Sequence, residues 1–124
     1  DHVLMCEQQP ALVAQLQTTA SKLQAKMVRI ERGDGVGALK RIASKSIDLV
    51  FLDPPFEAVG IADAALAAAS LAVTDEGFIY LESPKALSSE DAEAFGLNVH
   101  RFGKAGMVHY HLLRKLVKET PQTP

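Results

Sequence analysis

The segment Ile47-Asp-Leu-Val-Phe-Leu52, followed at once by Asp53-Pro-Pro-Phe56, is the most informative part of this sequence. Five of its first six residues are apolar, which is typical of a strand buried on both faces of a parallel sheet. The two prolines end the strand, because they fix the backbone and lack N–H donors. We therefore predict a buried strand that stops abruptly in a rigid loop.

Strands and helices alternate on both sides of this segment. The patterns predict strands at His2–Cys6, Met27–Ile30, Phe78–Leu81, Leu97–Phe102 and Met107–Leu113, and helices over 10–25, Val36–Ala43, 58–72 and Ser88–Ala92. Five apolar residues recur at helical spacing in the first helix: Ala11, Leu12, Leu16, Ala20 and Leu23. A hairpin turn is predicted from Gly103 to Gly106. The alternation favours one α/β domain over residues 1–118, with a mostly parallel sheet, an antiparallel C-terminal hairpin and a disordered tail at 119–124.

The composition excludes several classes of protein. The 124 residues fit one domain, and 48% hydrophobic with 23% charged residues is ordinary globular usage. No apolar run reaches the ~18 residues of a membrane span. The single cysteine, Cys6, excludes a disulfide within the chain and a clustered-cysteine zinc site. We expect a protein of the reducing cytoplasm that is not bound to membranes or metals.

Charge is unevenly distributed along the chain. The segment from Gly96 to the end carries five basic residues and one acid, which leaves a net charge of −6 on residues 1–95 of a chain whose total is −2. The basic residues are Arg101, Lys104, Arg114, Lys115 and Lys118. Such a segment can hold a polyanion, so these residues are candidates for phosphate contacts. The alternative is a solvated terminal strand with a frayed basic tail.

Acidic residues follow four of the predicted strands, at Glu7, Asp34, Asp53 and Glu82. The carboxyl ends of strands in an open α/β sheet form the ligand-binding edge. A carboxylate there can hold ribose hydroxyls or an adenine amine. The alternative for any one of these acids is an N-cap of the following helix.

The loop Asp53-Pro-Pro-Phe56 suits a planar ligand with an exocyclic amine. Asp53 and the Pro54 carbonyl can each accept one N–H, and the ring of Phe56 can stack on the ligand's face. Pro54 and Pro55 keep these acceptors rigid. The alternative is a stiff turn whose Phe56 packs inward.

A second segment, Glu31-Arg-Gly-Asp-Gly-Val-Gly37, offers a rival interpretation. It follows a strand, precedes a helix and matches a glycine-rich nucleotide loop. Asp53 would then be the ribose acid of a nucleotide-binding oxidoreductase-like domain. That interpretation leaves Pro54, Pro55 and Phe56 unexplained. Elsewhere, Cys6 is expected to be an inert core residue, and His109 and His111 are expected to be exposed histidines of an edge strand.

Asp53-Pro-Pro-Phe56 after a buried strand resembles the (Asp/Asn)-Pro-Pro-aromatic motif of amino-group methyltransferases that use S-adenosylmethionine. Phe78-Ile-Tyr-Leu-Glu-Ser83 and Gly106-Met-Val-His-Tyr-His-Leu112 resemble the later strands of the RsmD-type 16S ribosomal RNA guanine-N2 methyltransferases. Met5-Cys-Glu7 is similar to that family's strand end before a long helix. The resemblance runs from about His2 to Lys115.

The resemblance implies a Rossmann-like class I methyltransferase fold and S-adenosylmethionine as cofactor. Glu7, with Gln8 beside it, matches the position that holds the cofactor ribose, and Asp34, with Gly35 beside it, matches the position that meets the adenine amine. The catalytic positions are Asp53, Pro54, Pro55 and Phe56. The partner implied is ribosomal RNA or the small ribosomal subunit.

The family also has a glycine-rich loop after a first strand, ahead of the position matched by Glu7. This sequence begins after that point, and the first strand would lie between the Glu7 strand and the Leu52 strand. We therefore expect an N-terminally truncated chain, or one whose gap another chain fills. We then also expect a sheet that is interrupted in its middle, because backbone groups on both sides of the gap have no partner. We expect such a chain to bind the cofactor weakly.

The function expected from the sequence is methyl transfer to a nucleobase amine, with guanine N2 of 16S ribosomal RNA as the acceptor. The alternatives are a DNA amino-methyltransferase, which shares the Asp-Pro-Pro-Phe motif, the nucleotide-binding oxidoreductase-like domain, and a fragment that binds or assembles without catalysis. The target nucleotide and the oligomeric state do not follow from the sequence.

Overall fold

The computed structural model describes residues 2–52 and 61–116. These divide into two compact units, one within residues 1–41 and the other within residues 42–124. A single domain over residues 1–118 stays a prediction, and the predicted tail at 119–124 lies outside the described residues. Within the described ranges, no helix combines the length and the apolar character that a membrane crossing requires.

The first unit is a parallel β-α-β arrangement followed by a short helix. Its elements are β1 (Val3–Glu7), α1 (Pro10–Lys22), β2 (Val28–Arg32) and α2 (Gly35–Arg41). β1 and β2 pair in parallel, with Val3 opposite Val28 and Glu7 opposite Arg32. Both strands therefore end at the same edge of this two-stranded sheet, which places the turns after Glu7 and Arg32 side by side.

Helix α1 begins at Pro10, where a missing N–H costs nothing because the first turn has no acceptor for it. Its buried residue is Val13, with Leu16 and Ala20 half-buried on the same side at helical spacing. The predicted apolar face was partly wrong, because Leu12 and Leu23 are exposed. Val13 takes the buried position that the sequence pattern gave to Leu12.

The second unit is built on a four-stranded sheet. Its elements are β3 (Ile47–Leu52), α3 (Ile61–Ala72), β4 (Val73–Ser83), α4 (Ser89–Glu93), β5 (Leu97–Ala105) and β6 (Val108–Lys115). The strand order is β3-β4-β6-β5, with β3 and β4 parallel and the other neighbours antiparallel. The predicted parallel sheet with an antiparallel C-terminal hairpin is confirmed, although β4 is much longer than predicted.

One face of this sheet, the inner face, carries the core of the second unit. Its buried residues are Val50, Leu52, Ile79, Leu81 and Leu113. Helix α3 contacts β3 and β4, and its buried side is mostly alanine around the fully buried Leu66. Small side chains let the helix approach the sheet closely, so truncating Leu66 would leave a cavity and cost about 2–5 kcal/mol.

The opposite face, the outer face, exposes apolar side chains. Leu49 is 45% exposed and Phe51 is 69% exposed, and the Phe51 ring meets the Tyr80 ring at 5.4 Å between centroids. The prediction that Ile47–Leu52 is buried on both faces is therefore wrong. Successive strand residues alternate between faces, and the described elements cover only the face of Val50 and Leu52.

The described strands form two separate sheets. Among the described strands, β1 pairs with β2, and β3 belongs to a separate sheet that begins with the pair β3–β4. The sequence alone indicated one α/β architecture with a gap between the strands that end at Glu7 and Leu52. That gap stays a prediction.

Two local signals at the C-terminal end are confirmed with small shifts. The Ser88 hydroxyl accepts a hydrogen bond from the Asp91 amide at 3.0 Å and so caps α4. The hairpin turn consists of Gly106 and Met107, with Ala105 opposite Val108. Gly106 has φ +61°, which a two-residue hairpin turn requires at its first position.

Candidate functional site

In the first unit, the predicted cofactor residues meet at the carboxyl edge of β1 and β2. The Gly33 amide donates a hydrogen bond to the Glu7 carbonyl at 3.0 Å, so the turn after β2 is tied to the end of β1. Asp34 is the next residue after this contact. The structure therefore brings the turn of Glu7 and Gln8 together with that of Asp34 and Gly35, as the sequence predicts for parallel strand ends.

Glu7 lies half-buried at the entry to α1, and Gln8 beside it is exposed. The Glu7 Oε1 atom accepts a hydrogen bond from the Gln9 amide at 3.2 Å. This bond holds the carboxylate next to its own backbone turn. A carboxylate has about four acceptor positions, so this contact leaves capacity for ligand hydroxyls.

Asp34 caps helix α2. Its Oδ1 accepts from the Val36 amide and its Oδ2 from the Gly37 amide, each at 3.2 Å. The capping alternative is thus realised in the structure. The side chain is exposed, and each of its oxygens can still accept a further hydrogen bond, so capping and ligand binding are compatible.

The same contacts argue against the nucleotide-loop interpretation of Gly33–Gly37. In such a loop, the first amides of the helix point at the ligand's phosphates. Here the Val36 and Gly37 amides are taken by the Asp34 carboxylate, whose charge would also repel a phosphate. A side chain at Gly35 would meet no atom within 4 Å, so close packing does not demand glycine there.

Cys6 lies near the charged side chains of this edge. Its thiol donates to the Gly33 carbonyl at 3.3 Å. Burial raises the pKa of Cys6, and the charges of Glu31 and Asp34 raise it further. The thiol is therefore protonated at neutral pH, as an inert core cysteine should be. Glu31 is paired with Arg29, whereas the carboxylates of Asp34 and Glu7 can accept from ligand hydroxyls or amines.

In the second unit, the predicted catalytic motif Asp53, Pro54, Pro55 and Phe56 lies outside the described residues. The strand that leads into it is described, and Leu52 at its end pairs in parallel with Leu81 of β4. The carboxyl ends of β3 and β4 therefore share one edge. Glu82 lies there half-buried, with its Oε1 accepting a hydrogen bond from the Tyr80 hydroxyl at 3.1 Å.

The predicted phosphate contacts do not form one patch. The register of β5 and β6 places Arg101 and Arg114 on the outer face, and Lys104 and Lys115 on the other. The Arg114 guanidinium lies 5.1 Å from the centre of the Phe78 ring. Lys115 has a side chain only 17% exposed and lies 3.5 Å from an Asp75 oxygen. Lys118 lies outside the described residues.

The exposure of His111 differs from the prediction. It was expected as an exposed histidine of an edge strand, but β6 is an interior strand and His111 is 1% exposed. Its Nδ1 lies 3.2 Å from the Leu81 carbonyl oxygen, and its Nε2 accepts from the Leu87 amide at 2.9 Å. Burial lowers the pKa of His111. In the described part of the chain, no group of three side chains could hold a metal ion.

Comparisons with known proteins agree on family and fold. A family model described as conserved hypothetical protein 95 matches residues 1–114. An Escherichia coli protein provisionally described as a methyltransferase has a similar structure, with 23% identity and a TM-score of 0.75 over 94% of this chain. A Haemophilus influenzae protein provisionally described as a methylase has 21% identity and a TM-score of 0.75, also over 94% of this chain.

This chain spans 64% of the length of the Escherichia coli protein and 73% of the Haemophilus influenzae protein. An O-methyltransferase from neocarzinostatin biosynthesis, solved with S-adenosylmethionine, has 14% identity and a TM-score of 0.64 over 93% of this chain and 42% of its own. A comparison with curated proteins gives no match. The resemblance inferred from the sequence is confirmed at the level of family and Rossmann-like fold.

Proposed function

Because the chain belongs to the family described as conserved hypothetical protein 95, we propose that it transfers a methyl group from S-adenosylmethionine to a nucleobase amine. We propose guanine N2 of 16S ribosomal RNA as the acceptor. The observation that carries this proposal is the meeting of Glu7 and Asp34 at one strand edge, fixed by the hydrogen bond from the Gly33 amide to the Glu7 carbonyl.

The residues at this edge fit S-adenosylmethionine. The cofactor presents two ribose hydroxyls, an adenine amine and a sulfonium charge, and a set of carboxylates complements each of these groups. Glu7, with Gln8, would hold the ribose, and Asp34, with Gly35, would accept from the adenine amine. Burial is the main cause of the raised pKa of Cys6, and the charges of Glu31 and Asp34 add to it.

When bound, the cofactor supplies an electrophilic methyl group on a good leaving group. The work of the protein is then to orient the acceptor amine. The Asp53 carboxylate and the Pro54 carbonyl would each accept one N–H, which favours a pyramidal nitrogen whose lone pair is available. Phe56 would stack on a base held outside its helix. The proton leaves after transfer, so Asp53 is not required as a base.

The exposed basic residues of β5 support a polyanionic acceptor. Arg101 and Lys104 are exposed on the two faces of β5, and either can reach a phosphate. Arg114 and Lys118 complete the proposed contacts, whereas Lys115 is mostly buried and lies beside the Asp75 carboxylate. Arg114 combines a charge with an aromatic neighbour, an arrangement that suits an unpaired base next to a phosphate. Ribosomal RNA in the small subunit is the proposed partner.

The experiment is methyl transfer from radiolabelled S-adenosylmethionine to three substrates: 16S ribosomal RNA, small ribosomal subunits and duplex DNA. We expect label in guanine N2 of the RNA. Asp53→Ala should abolish transfer and leave the circular dichroism spectrum unchanged, because the side chain acts on the substrate rather than on the core.

Three results would contradict the proposal in different ways. Label in DNA alone would favour a DNA amino-methyltransferase. Binding of NAD in preference to S-adenosylmethionine would favour the oxidoreductase interpretation, and binding of neither would favour a role without catalysis. Near-normal turnover of Asp53→Ala would refute the mechanism while leaving the class of reaction intact.

A further inference from the structure

The buried His111 connects β4 with the segment that follows it. One ring nitrogen contacts the Leu81 carbonyl near the end of β4, and the other accepts from the Leu87 amide. These partners precede His111 by 30 and 24 residues, so one side chain of β6 closes the six-residue path from Leu81 to Leu87. The methyl-transfer mechanism above assigns no role to this histidine.

The two contacts define the protonation state of the ring. The Leu87 amide is a donor, so the Nε2 atom of His111 must be the unprotonated acceptor. The proton of the neutral ring is then on Nδ1, which donates to the Leu81 carbonyl at 3.2 Å. Both nitrogens of a fully buried ring are satisfied in this tautomer alone.

The segment that His111 holds lies at the proposed reaction edge. Leu81 pairs with Leu52, the residue directly before Asp53. The Ser83 hydroxyl accepts from the Lys85 amide at 3.3 Å, which shapes the start of the segment. The Ser88 cap of α4 fixes its other end. Between these two points, His111 of β6 accepts a hydrogen bond from the Leu87 amide.

We propose that His111 is a positioning residue: it fixes the segment Pro84–Leu87 as one wall of the acceptor site at the carboxyl ends of β3 and β4. This inference rests on the proposed methyl-transfer function. The segment is exposed from Pro84 to Ala86, so its shape depends on its anchors rather than on burial. Loss of the Leu87 contact would let this wall move relative to the carboxyl end of β3.

Two substitutions separate the two contacts of the ring. In His111→Asn, the side-chain amide can replace Nδ1 and donate to the Leu81 carbonyl, but it is too short to reach Leu87. In His111→Gln, the longer amide can replace Nε2 and accept from Leu87. Both variants bury a neutral amide at the same position, so a merely structural role predicts equal effects. A positioning role predicts that Asn impairs the reaction and Gln largely preserves it.

Three measurements test the proposal on the wild-type protein and both variants. Amide hydrogen exchange of Leu87 reports the anchor, and we expect faster exchange in His111→Asn only. With 16S ribosomal RNA as substrate, we expect kcat/KM to fall at least about tenfold in His111→Asn and to stay within about threefold in His111→Gln. The dissociation constant of S-adenosylmethionine should be unchanged in both.

The outcomes distinguish this inference from the proposed function. Equal kcat/KM in the two variants, or slow Leu87 exchange in both, would overturn the positioning role while methyl transfer by the wild type stands. A wild-type protein that transfers no methyl group would overturn the proposed function, and the role of the wall with it. In that case the Leu87 exchange would still differ between Asn and Gln, which identifies the function as the part that failed.

Discussion

Replacing Asp34 separates its role as the cap of α2 from its proposed role as a ligand of the cofactor. Asp34→Ala removes the acceptor of two amides, those of Val36 and Gly37, each bonded at 3.2 Å. Loss of such a cap costs about 0.5–2 kcal/mol, and the exposed position of Asp34 places the expected cost near 1 kcal/mol. For a chain of this size, that lowers the melting temperature by roughly 3–5 °C.

Asp34→Asn is the matched control, because asparagine caps helices about as well as aspartate. We expect its free energy of unfolding, measured with urea, to stay within a few tenths of a kcal/mol of the wild-type value. Amide exchange at Val36 and Gly37 gives the local measurement, with faster exchange in Asp34→Ala and little change in Asp34→Asn. Equal stability and exchange in all three proteins would refute the capping argument.

Isothermal titration with S-adenosylmethionine measures the second role of Asp34. A hydrogen bond from the adenine amine to a carboxylate contributes about 1.5–3 kcal/mol, so Asp34→Ala should weaken binding by roughly tenfold or more. Asp34→Asn keeps a neutral acceptor, and we expect an intermediate dissociation constant. If both variants bound the cofactor like the wild type, Asp34 would be a cap alone.

Three further predictions follow from particular contacts. A methyl group at Gly77 would lie 2.7 Å from the Asp48 carbonyl oxygen, which cannot easily move. Gly77→Ala should therefore lower the free energy of unfolding in urea by about 1–3 kcal/mol. Gly35→Ala, which has open space around the added methyl group, should leave it unchanged. The pKa of His111 lies below its ordinary value of 6.5, so the unfolded chain binds the proton more readily than the folded one. The free energy of unfolding should therefore fall as pH drops below about 7, by at most about 1.4 kcal/mol per pH unit. In His111→Gln, the contribution of this histidine to the pH dependence should be lost. Glu7→Ala should raise the dissociation constant of S-adenosylmethionine with little change in melting temperature, and an unchanged constant would remove Glu7 from the site.

Much of the fold could be predicted because the informative residues act locally. Pro10 at a helix start, the capping hydroxyl of Ser88 and the glycine of the hairpin turn each determine the backbone near them. The meeting of Glu7 and Asp34 also followed from sequence, since parallel strands with a helix between them must end at one edge. These inferences need only chain direction and local chemistry.

The remainder depended on which strands become neighbours, and periodicity carries no such information. The sequence shows that His111 alternates with apolar residues, but only the strand order β3-β4-β6-β5 shows that it is interior. Its bonding partners are Leu81 and Leu87, both far away along the chain. Likewise, an apolar run such as Ile47–Leu52 does not reveal which of its two faces receives a helix.

The outer face of the four-stranded sheet has a consequence for how the protein behaves in solution. Phe51 and Leu49 present apolar surface to water beside the half-buried ring of Tyr80. Attraction between such surfaces weakens on cooling, because its driving force near room temperature is entropic. Samples prepared in the cold should therefore be better dispersed than samples held at 37 °C, and excluded salts such as sulfate should precipitate the protein early.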